Sequence, residues 1–337
     1  MIPPEDAGEP PREPPPGARP GTSTFTIEGR AAPALFVLGW LATLLGVGTL
    51  FVSFQAESGP AQVITAVVAL VLLSIGLVAA AGAQGIERRA RGVGAYQGPS
   101  PVLVFAASVP VTILLAAVSG LVLSFVGIDL DGPAAIVAGS VMQVIVYVGL
   151  VRLLVVDARA MDWRELGFVG SSGRAVREFL LGASWAFPIV VLTAVVGAIL
   201  IEIFQVEPSG PLEPAGEPVG FAANVLVAVI LAPIGEELFF RGFATTAWVR
   251  AIGRRRAIVR GGLFFAFVHI LTITASSPSD AAQIGLIAFV GRIPVGLFLG
   301  WLFVRRGTIW APLGLHAAFN AILVVLAEIA LNAPAGP

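Results

Sequence analysis

The sequence predicts an all-α protein, a polytopic transmembrane helix bundle of about nine spans behind a disordered N-terminal tail. Hydrophobic residues make up 57% of its 337 positions and charged residues 12%, about half the charged share of a soluble domain. Mean hydropathy is +0.92. Apolar runs recur at lengths suited to helices that cross a bilayer, which need about 20 residues each. The alternating segments of about ten residues that build a membrane β-barrel are missing.

Residues 1–30 are rich in proline, glycine and charge, and cannot bury enough apolar surface to fold alone. A secretory signal would place an apolar core just after a short basic start, but here hydrophobicity begins only near Ala32. The first span is therefore expected to be retained. The spans run approximately over 33–54, 62–84, 101–127, 133–155, 178–204, 220–248, 258–275, 281–304 and 308–331. Residues 31–204 are expected to form an N-terminal region of five spans, and residues 220–331 a second transmembrane core. Between the fourth and fifth spans, residues 162–179 are amphipathic, and read either as an interfacial segment with Trp163 and Leu166 at the lipid surface or as a plain connecting loop.

Basic residues set the orientation. Arg88, Arg89 and Arg91 follow the second span, and Arg159, Arg164, Arg174 and Arg177 the fourth. Arg250 and Arg254–Arg256 follow the sixth, with Arg260 soon after, and Arg305 and Arg306 follow the eighth. The alternate connections carry acids and no arginine. The pattern predicts an integral protein of the plasma (cytoplasmic) membrane, with its N-terminus in the cytoplasm. The expected partners are the lipid bilayer and a membrane-associated protein or peptide. No basic, aromatic-interleaved stripe points to nucleic acid. With no cysteine, disulfides, thiolate metal sites and cysteine nucleophiles are excluded.

Ionisable groups at membrane depth are costly and usually face a partner or a wet cavity. Three apolar spans carry them. The sixth holds Glu236 and Glu237, with Arg241 close behind. Glu237 and Arg241 are i,i+4 with the acid first, the order that favours an ion pair. Glu236, about 100° around the helix, is left as the freer carboxylate. It is the candidate base, and Glu237 the organiser. The seventh span places Phe265 and His269 on one face, so the phenyl ring can wall the imidazole's pocket. The ninth places His316 and Asn320 on one face, two donors fit for an oxyanion hole. The chain has no other histidine. A buried ion-pair network or a plain helix-to-helix hydrogen bond would account for the same residues singly.

A glutamate with three donor-capable groups suits attack of activated water on a peptide carbonyl. Glutamate and histidine also bind zinc, but the HExxH signature is absent. So are paired intramembrane aspartates and the GxSxG nucleophile turn.

EELFFR at 236–241, FAFVH ending at His269, and HAAFN from His316 to Asn320 resemble, in order, three motifs of one family. It is the CPBP (Abi) family of intramembrane proteases, which includes the type II CAAX prenyl endopeptidases and bacteriocin-processing relatives. The stretch 296–320 is similar to the usual lead-in to the third motif, and the resemblance covers about residues 220–331. It implies a hydrolase in which Glu236, helped by His269, activates water while His316 and Asn320 stabilise the oxyanion. Glu237 and Arg241 match the remaining motif positions. Members are often labelled metalloendopeptidases. The motif chemistry favours a reaction that requires no cofactor, with zinc on Glu236, His269 and His316 as the alternative. A non-catalytic scaffold or bacteriocin-immunity-type binding protein using the same cavity is the rival function.

Arg292, in the middle of the eighth span, is read as a counter-ion to Glu236 or Glu237, or a holder of a substrate carboxylate. Gly296 and Gly300 form a small-xxx-small step that allows close helix approach. Glu328 lies near the outer end of its span, more suited to the interface than to catalysis.

Overall fold

Helix starts in this chain are marked by proline, which lacks an N–H that the first turn could not use and presets φ for the helix. In the computed structural model, Pro33, Pro60, Pro101, Pro133, Pro218 and Pro278 each open a helix. The structure describes residues 26–27, 30–92, 94–205, 215–273 and 277–332. Most of the predicted tail lies outside these. Its described part holds a two-residue antiparallel pairing of Thr26–Ile27 with Arg30–Ala31.

The helices are α1 (Pro33–Gln55), α2 (Pro60–Arg91), α3 (Pro101–Phe125), α4 (Pro133–Val156), α5 (Ser172–Ala183), α6 (Ala186–Phe204), α7 (Pro218–Ile252), α8 (Arg254–Val268), α9 (Pro278–Arg306) and α10 (Trp310–Leu331). Among the described residues, eight segments are long and apolar enough to cross a membrane. The seventh predicted span is the exception. It is a 15-residue helix opening on three arginines, followed by a 3₁₀ turn over His269–Thr272.

The fifth predicted span also differs. Its apolar run is α6, and the amphipathic stretch before it forms α5, joined through Ser184 and Trp185. Leu166, expected at the lipid interface, is instead buried in the protein core. Trp163 stays partly exposed beside Phe168.

Small residues set the closest helix contacts. Gly76 and Gly39 let α2 and α1 meet with almost no side chain between them. Gly182 faces the Ala311 carbonyl and Gly314 the Phe179 carbonyl, so α5 and α10 touch backbone to backbone. Gly296 lies against the Gly262 carbonyl, where an added Cβ would be 2.8 Å away, and Gly300 faces Ile258. The predicted small-residue step of α9 thus seats it on α8.

Arginine-bearing connections gather at one end of the bundle. Arg250 pairs with Glu165, joining the α4–α5 connection to the end of α7. Arg306 donates two hydrogen bonds to Glu178, both 2.7 Å, joining α9 to α5. Toward the opposite end, Glu328 accepts the Ala215 and Gly216 N–H groups at 3.1 and 3.0 Å.

The core runs around the middle of α7, where every residue from Glu237 to Thr245 is buried. This stretch is π-helical, as is Leu226–Leu231. Such i→i+5 turns are rare and concentrate at functional sites. Phe239 and Phe240 pack on Phe105 and Tyr147, and Phe240 also on Phe265, holding α7 against α3, α4 and α8.

Candidate active site

Three helices bring five of the six predicted residues together. Glu237 is fully buried, and its Oε1 accepts from Arg241 Nη1 at 2.9 Å and from His316 Nδ1 at 2.7 Å. The i,i+4 pair foreseen on α7 therefore forms and also fixes a ring on α10. The guanidinium carbon of Arg241 lies 4.1 Å from the Phe265 ring centroid, within cation–π range. That ring packs edge-on against both imidazoles, with centroids 4.6 Å from His269 and 5.8 Å from His316. Phe265 is thus the common wall between the buried cation and the two rings.

His269 Nδ1 donates to the Phe265 carbonyl at 2.7 Å. A carbonyl can only accept, so the neutral ring carries its lone pair on Nε2. The same reasoning applies to His316, whose Nδ1–H is taken by a carboxylate. Both Nε2 atoms approach Glu236 Oε2, at 3.9 Å from His269 and 3.8 Å from His316. That oxygen is buried and has no hydrogen-bond partner among the described residues. Separations this long are too wide for direct hydrogen bonds and suit a bridging water.

The donor types match zinc chemistry, and each ring's other nitrogen is held by oxygen, as in ligating imidazoles. The spacing does not make a ligand set. Donors about 2.0–2.1 Å from one tetrahedral zinc lie roughly 3.4 Å from each other, closer than the two separations found. Among the described residues, no three His, Cys, Asp or Glu side chains are grouped to hold a metal ion.

Asn320 stands apart from the cluster. Its Nδ2 donates at 2.7 Å to the Ala228 carbonyl, in the π-helical part of α7. Five residues on from Ala228 is Pro233, which has no N–H to close an i→i+5 bond. The amide of α10 takes the place of that donor.

Arg292 acts electrostatically on Glu236 and His269. Its guanidinium donates to the Ala288 carbonyl at 3.3 Å, and no carboxylate lies within ion-pair distance among the described residues. It balances the site's charge from a distance. Tyr147 on α4 also feels the Glu236 charge. Its hydroxyl accepts from Gln143 Nε2 at 3.4 Å, and its ring lies 4.8 Å from Phe239. Sequence reasoning passed over it. The available signal was a polar pair at i,i+4 inside an apolar span, using one of only two tyrosines in the chain.

Residues 218–322 match the family model of the type II CAAX prenyl endopeptidase Rce1-like proteins. The match contains Glu236, Glu237, Arg241, His269, His316 and Asn320 and bears out the resemblance read from the three motifs. This is a protease family, and the match supports a CAAX-type membrane peptide hydrolase at family level. With eight helices among the described residues long and apolar enough to cross a membrane, the chain has the build of an integral membrane protein. No curated protein and no solved structure matches it.

Proposed function

We propose that the chain is an intramembrane endopeptidase in which Glu236 activates water to hydrolyse a peptide bond of a membrane-associated protein or peptide. The observation that carries this reading is the buried Glu236 Oε2, faced by two imidazole Nε2 atoms across gaps of 3.8 and 3.9 Å. A water held there gives one hydrogen to Glu236 and the other to a ring nitrogen. Its oxygen lone pair is then directed at the substrate carbonyl.

As the C–O bond forms, Glu236 takes the water's proton and the carbonyl oxygen gains negative charge. For His316 Nε2 to donate to that oxygen, the ring must enter the reaction with both nitrogens protonated, its Nδ1–H on Glu237; the bound water's second hydrogen then rests on His269 alone. Arg241 holds Glu237 in place. Asn320, anchored through one N–H to Ala228, has a second N–H for the oxyanion, and preorganised donors of this kind cost nothing to reorient during reaction. Collapse of the intermediate breaks the C–N bond, and Glu236 passes its proton to the leaving amine.

The reaction as drawn requires no metal. Cleavage is expected to survive exhaustive chelation, and a loss of activity restored by zinc would overturn that part of the proposal. The arginine-rich end is assigned to the cytoplasm by the positive-inside rule, which places the N-terminus there. Reporters fused to each end of the chain test this.

The decisive experiment compares peptide termini in membranes holding wild type or Glu236→Ala protein. Termini found only with wild type identify both the reaction and the substrate. A variant that inserts normally and still turns over that substrate would falsify the mechanism. One that loses no cellular phenotype would point to a binding scaffold.

A further inference from the structure

A groove of about 750 Å³ runs along the outward side of α8, away from the catalytic cluster. Val259, Leu263 and Phe267 form its floor at i, i+4 and i+8, so they share one helix face. All three are exposed, and Phe289 of α9 closes one side. From Arg256 to Phe267 the groove follows roughly 16 Å of helix, enough for much of an acyl chain.

Arg255, Arg256 and Arg260 line the other end, on the first turns of α8. The Arg260 guanidinium lies 4.9 Å from the Trp248 ring centroid. Among the described residues, none of the three arginines has a carboxylate within ion-pair distance, although nearby Arg250 does. An apolar slot thus continues into an uncompensated basic cluster at the bundle's arginine-rich end. Free phosphate would match only the cluster, and a neutral isoprenoid only the slot. A zwitterionic lipid brings its own cation to the arginines.

We propose that this groove binds one anionic phospholipid of the surrounding leaflet. Its phosphate is held by Arg255, Arg256 and Arg260, and one acyl chain lies along Val259, Leu263 and Phe267. Basic pockets at the ends of membrane helices recognise headgroups in this way.

The test uses the full chain in phosphatidylcholine vesicles containing a small fraction of photoreactive phosphatidylglycerol, with adducts mapped by mass spectrometry. Wild type is expected to concentrate adducts on α8. Each arginine near an anionic leaflet contributes on the order of five-fold in binding, so R255Q/R256Q/R260Q should lower labelling ~100-fold. Arg174→Gln, which removes an exposed charge of the α5 segment, should leave labelling unchanged. Leu263→Trp fills the slot without altering charge and should also suppress it. That variant decides the matter if the triple variant does not elute as a folded species.

The proposal is overturned by adducts spread evenly over the lipid-facing helices, or by labelling that survives in both the triple variant and Leu263→Trp. Equal labelling of α8 by photoreactive phosphatidylcholine overturns it too, as does displacement of the probe by a neutral isoprenoid alcohol but not by unlabelled phosphatidylglycerol.

Discussion

Glu178, buried, and Glu236, partly buried, are carboxylates held under opposite conditions. Glu178, on α5, gives both oxygens to one guanidinium, with two bonds of 2.7 Å from Arg306 and Arg177 3.5 Å away. Glu236, on α7, keeps a buried oxygen without a hydrogen bond, while its neighbour Glu237 takes the cation of Arg241. Bidentate pairing leaves Glu178 little capacity to accept a proton or bind another group, so its position is structural. An acid whose compensation is incomplete is available for chemistry. Burial alone does not distinguish the two; Glu236 has what Glu178 lacks, an unsatisfied oxygen facing two imidazoles, and for that reason it is the acid proposed for the chemistry.

The sharpest way to break that contrast is Glu236→Gln, which keeps the shape and removes the base. Loss of a general base costs about 10²–10⁴ in rate, and a cleavage assay on detergent-purified protein should show it with the thermal transition unmoved. His269→Ala is expected to be nearly as severe, because it removes the second group placed to hold the water. Retained turnover there would leave Glu236 acting alone.

Asn320→Ala should lower the rate by about 10²-fold, as loss of one oxyanion donor does. It should also cost about 1 kcal/mol of stability from the lost bond to Ala228. A stability loss with unchanged kcat would reduce Asn320 to a tie between α10 and α7. Glu178→Ala tests the other side of the comparison. Arg306 is about one-third exposed and can turn to water, so the expected destabilisation is about 1–3 kcal/mol, with kcat per folded molecule unchanged. A fall in kcat matching that of Glu236→Gln would erase the distinction between the two acids.

The sequence showed clearly those parts of the site whose geometry is local. Glu237 with Arg241 and Phe265 with His269 are each four residues apart, and that spacing alone puts them on one helix face. Their depth was legible as well, because charge is scarce inside apolar spans. The Glu178–Arg306 pair was not, since its partners are 128 residues apart. Nor was the tie from Asn320 to Ala228, which depends on a carbonyl facing a proline 5 positions along a π-helical turn. Side-chain pattern carries no signal for i→i+5 winding; here it accompanies packing of Phe239, Phe240 and Phe243 inside the bundle. Leu166 was misplaced for a similar reason. An apolar residue in an amphipathic stretch reads the same whether it meets lipid or protein.

By itself, then, the chain's pattern of long apolar runs, opening prolines and arginine-bearing connections determined a helical membrane bundle. Its three motifs singled out the side chains proposed to carry the chemistry. Tertiary structure decided that Glu237 holds Arg241 and His316 through one oxygen, while Glu236 turns one of its oxygens toward both imidazoles. It also decided that the seventh segment is a short helix ending at His269, and that Asn320 first serves a backbone carbonyl. The physical reason is range. Periodicity and solvation cost act within one helix and survive in the sequence, whereas a hydrogen bond's partner is chosen only when separate helices meet.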